Sequence, residues 1–231
     1  MTGSEPAEAD RPASHETPGE ISQVTEPVSF PAGAVERLAD SVLHRPARLG
    51  TVRAMAIDGP SGSGKSSLAD AVAAELRRRD VGVSLVRADD FATWSEPWQW
   101  WPGFEHAVLT PLRAGAPAEY RRIVWSEAGP VLGDVVRVPV PEVLVLEGVS
   151  MGRRAAEHFL SYRVWITWGD EQRRRERSIR RDGETIREPI IEWQRFEREW
   201  FAEDQTPRRA DLIITQRGWS TPTDSSERYT Q

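Results

Sequence analysis

Short apolar runs alternate with amphipathic stretches along most of this chain. Five runs have the length of buried strands, at residues 52–58, 83–87, 143–148, 162–168 and 211–215. Helical spacing of apolar residues predicts helices between and before them, at residues 34–43, 66–79, 151–159, 171–181 and 188–202. Apolar strands that alternate with helices are typical of a parallel sheet covered on both faces. We therefore predict a three-layer α/β/α fold with a mostly parallel, five-stranded sheet.

Three segments depart from this alternation. Residues 92–141 are rich in tryptophan and proline, and we predict that they form an insertion beside the sheet. Residues 1–31 are acidic, contain several prolines and lack apolar periodicity, which indicates a disordered tail. We also predict disorder for residues 218–231. One folded domain over residues 32–217 is the resulting organisation, and its size suits a chain of 231 residues.

Charge and composition exclude several classes of protein. Without the six acids and one base of the tail, the chain holds 30 acidic and 29 basic residues, so it lacks the basic character of a nucleic-acid-binding protein. No apolar run approaches the roughly 18 residues of a membrane span. The absence of cysteine excludes disulfides and thiolate-bound metals. We expect a cytoplasmic protein with neither a nucleic-acid nor a membrane partner, and the sequence gives no prediction of oligomeric state.

A glycine-rich loop follows the first predicted strand. Residues 59–66 match the phosphate-binding pattern G-x-x-x-x-G-K-[ST] between a strand and a helix. Small residues let successive backbone N–H groups point at phosphate oxygens, and the helix N-terminus adds a positive dipole. Lys65 is the only lysine in the chain, and we expect it to reach the β- and γ-phosphates while Ser66 ligates Mg²⁺. The predicted nucleotide-binding residues are Gly59, Ser61, Gly62, Ser63, Gly64, Lys65, Ser66 and Ser67.

Two other interpretations of the loop are less consistent with its sequence. A flexible turn before a helix needs neither the lysine nor the following serine. A dinucleotide-binding turn needs a third glycine in G-x-G-x-x-G, and Ser67 stands at that position. The loop therefore predicts a nucleoside-triphosphate site.

Two carboxylates come at the ends of predicted strands. Asp89 follows the second strand and Glu147 ends the third. Ligands of open α/β sheets bind at the carboxyl ends of the strands, which places both side chains beside the phosphate loop. Phosphoryl transfer needs charge neutralisation, in-line placement and a group that accepts the hydroxyl proton, and carboxylates can serve the last of these. Asp90 is an adjacent alternative to Asp89, and either residue could instead end a strand with no chemical role.

These motifs resemble the uridine kinase and phosphoribulokinase-like branch of P-loop kinases, over about residues 52–215. The matching segments are the loop, Asp89-Asp90-Phe91, Glu147-Gly148, the arginine-rich run 173–182 and residues 208–214. The resemblance implies an ATP-dependent kinase in which Asp89 is the base toward the acceptor hydroxyl. It also places Glu147 in the magnesium shell, with Ser66 and Asp89, and makes residues 170–187 a helical lid.

The lid run carries arginines at helical spacing. Arg174, Arg177 and Arg181 fall at i, i+3 and i+7, so they share one stripe of a helix. With Lys65 and Asp89 they complete the predicted catalytic set, in which they stabilise the transferring phosphoryl group. The alternative is a solvated helix face that pairs with Glu171, Glu176 and Glu184.

The acceptor side departs from the family pattern. Uridine kinases follow the Asp-x-Phe motif with tyrosine, where this chain has Ala92, and they later carry Tyr-Asp-Phe, where it has residues 123–125, Ile-Val-Trp. The uracil-binding groups therefore do not carry over. Six aromatic residues between Phe91 and Phe104 stand there instead, and they suit either a stacking platform for a planar acceptor or simple packing.

The sequence thus predicts a kinase that uses ATP and Mg²⁺ to phosphorylate a hydroxyl of a small molecule, most plausibly a nucleoside or a similar metabolite. Two rival functions remain. One is an ATPase or nucleotide-dependent switch that acts on a protein partner. The Asn-Lys-x-Asp guanine signature is absent, however, because the only lysine of the chain belongs to the glycine-rich loop. The other is a degenerate kinase that only binds nucleotide, which the intact Lys65, Ser66, Asp89 and Glu147 set argues against.

Overall fold

A computed structural model describes residues 30–94, 98–126 and 129–222 of the chain. Its central sheet has six strands in the order β2-β5-β1-β6-β7-β8. The strands are β1 (Arg53–Asp58), β2 (Val83–Arg87), β5 (Val143–Glu147), β6 (Leu160–Ile166), β7 (Leu212–Thr215) and β8 (Gly218–Ser220). The first five are mutually parallel, as predicted, and β8 runs antiparallel to β7 along the edge.

The sixth strand corrects the prediction of disorder for residues 218–220, while residues 223–231 lie outside the described part of the chain. β8 pairs Trp219 with Ile214, and the indole packs against the core beneath α1 (Ala34–Leu43) while the Arg37 guanidinium lies 4.6 Å from its ring centre. Burial of this one side chain explains the ordering of a strand too short to predict from periodicity. The predicted acidic tail lies outside the described residues except for its last two positions, 30 and 31.

Two hydrophobic cores lie on opposite faces of the sheet because side chains alternate along each strand. On β1, Met55 and Ile57 pack under α1 and α2 (Lys65–Arg78), whereas Ala54 and Ala56 face the other core. Two further helices, α5 (Glu171–Asp182) and α6 (Arg187–Asp204), follow β6 and pack on each other. The three-layer α/β/α prediction is confirmed, and no described helix is long and apolar enough to cross a membrane.

The tryptophan-rich insertion covers the second face of the sheet instead of lying beside it. It contains α3 (Trp101–Phe104), a π-helical turn (Glu105–Leu109), α4 (Thr110–Arg113) and an antiparallel hairpin of β3 (Ala118–Ser126) and β4 (Gly129–Val138). Phe104, Leu109 and Leu112 are fully buried against β1 and β5. The insertion is therefore the second helical layer near these strands.

The helix predicted over residues 151–159 does not form, and the structure has only a 3₁₀ turn at Arg154–Ala156. Just before this turn, Asp58 accepts hydrogen bonds from the backbone N–H groups of Ser150 and Gly152, at 3.0 and 2.8 Å. Ser150 also has a left-handed φ of 69°, so the chain is not helical where the predicted helix would begin.

Candidate functional site

The glycine-rich loop wraps between the end of β1 and the start of α2. Gly59, Gly62 and Gly64 have φ angles of 151°, 70° and 92°, which side-chain-bearing residues rarely adopt. A Cβ atom on Gly59 would lie 2.0 Å from the Ile166 carbonyl oxygen, and one on Gly62 would lie 2.3 Å from the Arg174 carbonyl oxygen. The loop therefore needs glycine both for its curvature and for its contact with the lid helix α5.

Polar groups inside the loop suit a phosphate ligand. The Lys65 ammonium is buried and donates to the Pro60 carbonyl oxygen at 3.0 Å. The Ser63 hydroxyl is buried and has no hydrogen-bond partner among the described residues. Gly64 is the N-cap of α2, and Ser66 and Ser67 stand in its first turn. Together these residues fit a polyphosphate, with Lys65 and the backbone N–H groups as its donors.

Asp58 holds the start of the loop in place through hydrogen bonds, a role that was not predicted from the sequence. Its carboxylate accepts from the N–H of Gly59 at 2.6 Å, besides the N–H groups of Ser150 and Gly152. Burial raises the pKa of Asp58 to about 6, against the lowering effect of these hydrogen bonds and of the Lys65 charge. The side chain thus joins the phosphate loop to the segment after β5.

Ser66 and Glu147 meet on the metal-binding side predicted from the sequence. The Ser66 hydroxyl donates to Glu147 Oε1 at 3.3 Å, and Arg87 donates to Glu147 Oε2 at 3.0 Å. Burial raises the pKa of Glu147, and the positive charge of Lys65 opposes this effect. Among the described residues no cluster of three or more His, Cys, Asp or Glu side chains could hold a metal alone. This donor set suits Mg²⁺, which proteins bind through one or two carboxylates together with substrate phosphates and water.

The two adjacent aspartates after β2 have different surroundings. Tyr120, on β3 of the insertion, donates its hydroxyl to Asp90 at 2.6 Å, and burial raises the pKa of Asp90. The Asp89 side chain is exposed, and none of the hydrogen bonds of the described residues ends on it. Asp89 is close enough to Glu147 for its negative charge to raise the Glu147 pKa. Asp90 therefore connects the hairpin to the end of β2, while Asp89 is exposed beside Glu147.

The lid helix lies on the phosphate loop. Arg177 Nε donates to the Gly62 carbonyl oxygen at 2.9 Å, Arg177 Nη2 donates to Trp168 O, and Arg174 Nη1 donates to Gly169 O at 2.6 Å. Burial lowers the pKa of both arginines. Arg181 instead pairs with Asp182 at 2.6 Å.

The glutamates considered as alternative partners of the arginine stripe bind elsewhere. Glu171 pairs with Arg175 and Arg198, and Glu184 pairs with Arg187. Glu176 accepts from Gln172. Arg174 and Arg177 are therefore held by carbonyl oxygens around the loop, without a carboxylate in hydrogen-bond contact.

The aromatic residues of the insertion form a packed cluster around a buried arginine. The Arg153 guanidinium lies 4.6 to 4.9 Å from the ring centres of Trp100, Trp101 and Trp200, and it donates to Ser150 O and Trp98 O. Burial lowers its pKa to about 10. The packing interpretation therefore holds for Trp100 and Trp101, which are buried.

A further carboxylate, Glu197 of α6, reaches the phosphate loop and was not predicted. Its Oε1 atom accepts from the N–H and the hydroxyl of Ser61, at 2.8 and 2.5 Å, and from Trp193 Nε1 at 2.9 Å. The residue is 2% exposed. Helical spacing in α6 gave no sign of it because a buried glutamate does not stand out from the surface glutamates around it.

Comparisons with known proteins bear on the fold. No protein-family model and no curated protein matches this chain. The structure is similar to that of a possible uridine kinase from Bacillus stearothermophilus, with a TM-score of 0.56 and 17% identity over 78% of this chain and 96% of the other. It is also similar to the D-glycerate 3-kinase from Cryptococcus neoformans var. grubii, with a TM-score of 0.59 and 13% identity over 81% of this chain and 98% of the other.

These likenesses show that the chain shares the fold of these two structures. That fold agrees with the one implied by the resemblance of the sequence motifs to uridine kinases and phosphoribulokinases.

Proposed function

We propose that this chain is a kinase that transfers the γ-phosphoryl group of ATP, with Mg²⁺, to a hydroxyl group of a small molecule. The observation that carries the proposal is the position of Asp89, an exposed carboxylate that follows β2 where its last residue, Arg87, pairs with Glu147, the partner of Ser66 of the phosphate loop. A free base next to a phosphate site suits attack by an alcohol.

The residues divide the work of transfer as follows. Lys65 and backbone N–H groups of the glycine-rich loop bind the phosphates. Ser66 and Glu147, with Asp89 beside them, would hold the metal, which would neutralise phosphate charge when bound. Arg174 and Arg177 are expected to stabilise the transferring group from the lid. Arg181 is paired with Asp182, and it also lies near enough to Asp89 and Glu147 for their charges to raise its pKa. We expect it to exchange Asp182 for the transferring group when the predicted lid closes.

Asp89 is proposed to accept the proton of the acceptor hydroxyl as the oxygen attacks phosphorus. Asp90 is unsuited to this role because Tyr120 already occupies its Oδ2 atom. The acceptor is proposed to be a nucleoside or a similar polar metabolite. The two similar structures carry the names of uridine and glycerate kinases, and both of those acceptors offer a primary or secondary alcohol.

The test is ADP release with MgATP alone and with a panel of nucleosides, glycerate, sugars and pantothenate-like alcohols. Asp89→Asn should lose transfer by roughly 10²- to 10⁴-fold with unchanged ATP affinity. Asp90→Asn is the matched control and should keep most of the transfer rate. ADP release that no acceptor stimulates would favour an ATPase, and full transfer by Asp89→Asn would remove Asp89 from catalysis.

A further inference from the structure

Glu197 occupies a place where a negative charge works against the proposed ligand. Its carboxylate takes both donors of Ser61, the third residue of the phosphate loop, and lies almost completely out of water. Loop N–H groups of this kind are the usual donors to phosphate oxygens. An anion from the protein itself therefore holds a position suited to an anion of the nucleotide.

The carboxylate lies at the end of the loop toward which Lys65 points. The Lys65 ammonium contacts the Pro60 carbonyl oxygen, one residue before Ser61. Burial raises the pKa of Glu197, and the charge of Lys65 is the largest influence that opposes this rise. In a loop of this pattern the lysine reaches the β- and γ-phosphates. Glu197 is thus on the side of the terminal phosphate.

Trp193 connects the same carboxylate to the insertion. Its indole N–H donates to Glu197 Oε1, and its ring contacts Trp94 and Trp98, at centre distances of 5.3 and 5.7 Å. Movement of the Glu197 side chain would remove the acceptor of this N–H. A change at the phosphate loop would therefore reach Trp94 and Trp98 through Trp193.

We propose that Glu197 is an anionic gate on the phosphate loop, which the terminal phosphate of a nucleoside triphosphate must displace from Ser61 and which a diphosphate leaves in place. The gate lowers the affinity for ATP relative to ADP and couples triphosphate binding to Trp193. This inference rests on the proposed function, since it assumes that the loop binds ATP.

Replacing the Glu197 carboxylate by a neutral amide distinguishes the gate from simple structural support of the loop. Glu197→Gln keeps an oxygen that accepts from Ser61 and Trp193 but loses the charge that opposes the terminal phosphate. A gate then predicts tighter ATP binding, whereas loop support predicts equal or weaker binding of both nucleotides. Trp193→Phe removes one donor to the carboxylate, keeps an aromatic ring and should loosen the gate in the same direction.

The experiment is calorimetric titration of the full chain with MgATP and with MgADP. We expect Glu197→Gln to lower the Kd for ATP about tenfold and to change that for ADP less than twofold, with a smaller change of the same sign in Trp193→Phe. Trp200→Phe is the control, since this residue shares α6 and stacks on Trp98 but its Nε1 has no hydrogen-bond partner among the described residues. Trp200→Phe should leave the ratio of the Kd for ATP to that for ADP unchanged.

The outcomes distinguish the two proposals. Wild-type protein that binds neither nucleotide would overturn the proposed function together with the gate. If the wild-type protein binds nucleotide, two results for Glu197→Gln would overturn the gate alone. One is an unaltered ratio of the Kd for ATP to that for ADP, and the other is weaker binding of both nucleotides. Loss of transfer with unaltered affinities would instead assign Glu197 to the chemical step. If Glu197→Gln does not fold, the test is the ratio of the Kd for ATP to that for ADP in Trp193→Phe. An unchanged ratio in that variant would contradict the gate.

Discussion

The phosphate side and the acceptor side of the candidate site are built in different ways. On the phosphate side, backbone groups of eight consecutive residues form the binding loop, and one carboxylate, Asp58, fixes it from below. On the proposed acceptor side, contacts between side chains of distant segments form the wall, such as Tyr120 with Asp90 and Arg153 with three tryptophans. A site made of backbone is specified locally, whereas one made of side chains depends on packing.

The largest expected effect on stability is on the acceptor side. Arg153→Ala removes the contacts with three rings and two hydrogen bonds to carbonyl oxygens, and it leaves a cavity. We expect the free energy of unfolding to fall by about 3 to 5 kcal/mol, since a desolvated cation–π contact is worth about 2 kcal/mol and hydrogen bonds to charged groups about 1.5 to 3 kcal/mol. Urea denaturation measures this change.

The adjacent Arg154 is a matched control because it is exposed and not part of the aromatic cluster. Arg154→Ala should cost about 1 kcal/mol or less. ATP affinity measured at a temperature where Arg153→Ala is folded should stay near the wild-type value if the two sides are independent. A stability loss of under about 1 kcal/mol in Arg153→Ala would contradict a wall held together by packing.

On the phosphate side, the corresponding test uses pH. Because the pKa of Asp58 is raised from 3.8 to about 6, the folded protein holds this proton more tightly than the unfolded chain. The resulting stability is fully present below about pH 4 and is lost as the pH rises to about 6, a change of about 3 kcal/mol. Asp58→Asn has no proton to lose, so the wild-type stability should fall relative to that of Asp58→Asn over this interval.

Chemical denaturation of both proteins at several pH values between 4 and 7 gives this difference directly. Other carboxylates titrate in the same range, but they are common to both proteins and cancel. Parallel stability curves would show that Asp58 keeps an ordinary pKa, because its hydrogen bonds and the Lys65 charge fully offset the effect of burial.

The sequence was sufficient for the parts of the molecule that are specified locally. The boundaries of β1, β2 and α2 were predicted to within one residue, because a buried strand, a glycine loop and an amphipathic helix each have their own signature. The hairpin β3–β4 was missed since both of its faces are largely exposed, with Leu132 at 66%, and no alternation of apolar and polar residues marks it.

The rest of the site could not be predicted for the same reason. Glu197 and Tyr120 act through partners 136 and 30 residues away, so no spacing rule connects them. The proposal of Asp89 over Asp90 as the base also depended on Tyr120. Its hydroxyl binds Asp90, which the sequence does not distinguish chemically from Asp89. Short motifs identified the phosphate loop, but the acceptor wall became visible only with the tertiary contacts.

The smallest expected effect tests that contact. Tyr120→Phe removes one hydroxyl and keeps the ring, whose centre lies 4.6 Å from that of Phe91 in a tilted arrangement. We expect a loss of about 1.5 to 3 kcal/mol in unfolding free energy, since this is the contribution of a hydrogen bond to a charged group such as the Asp90 carboxylate. Because Asp90 is released next to Asp89, we also expect a higher KM for the acceptor and an unchanged KM for ATP, measured by ADP release. An equal rise in both KM values would show that the hairpin supports the phosphate side too, and the two sides would then have to be treated as one unit.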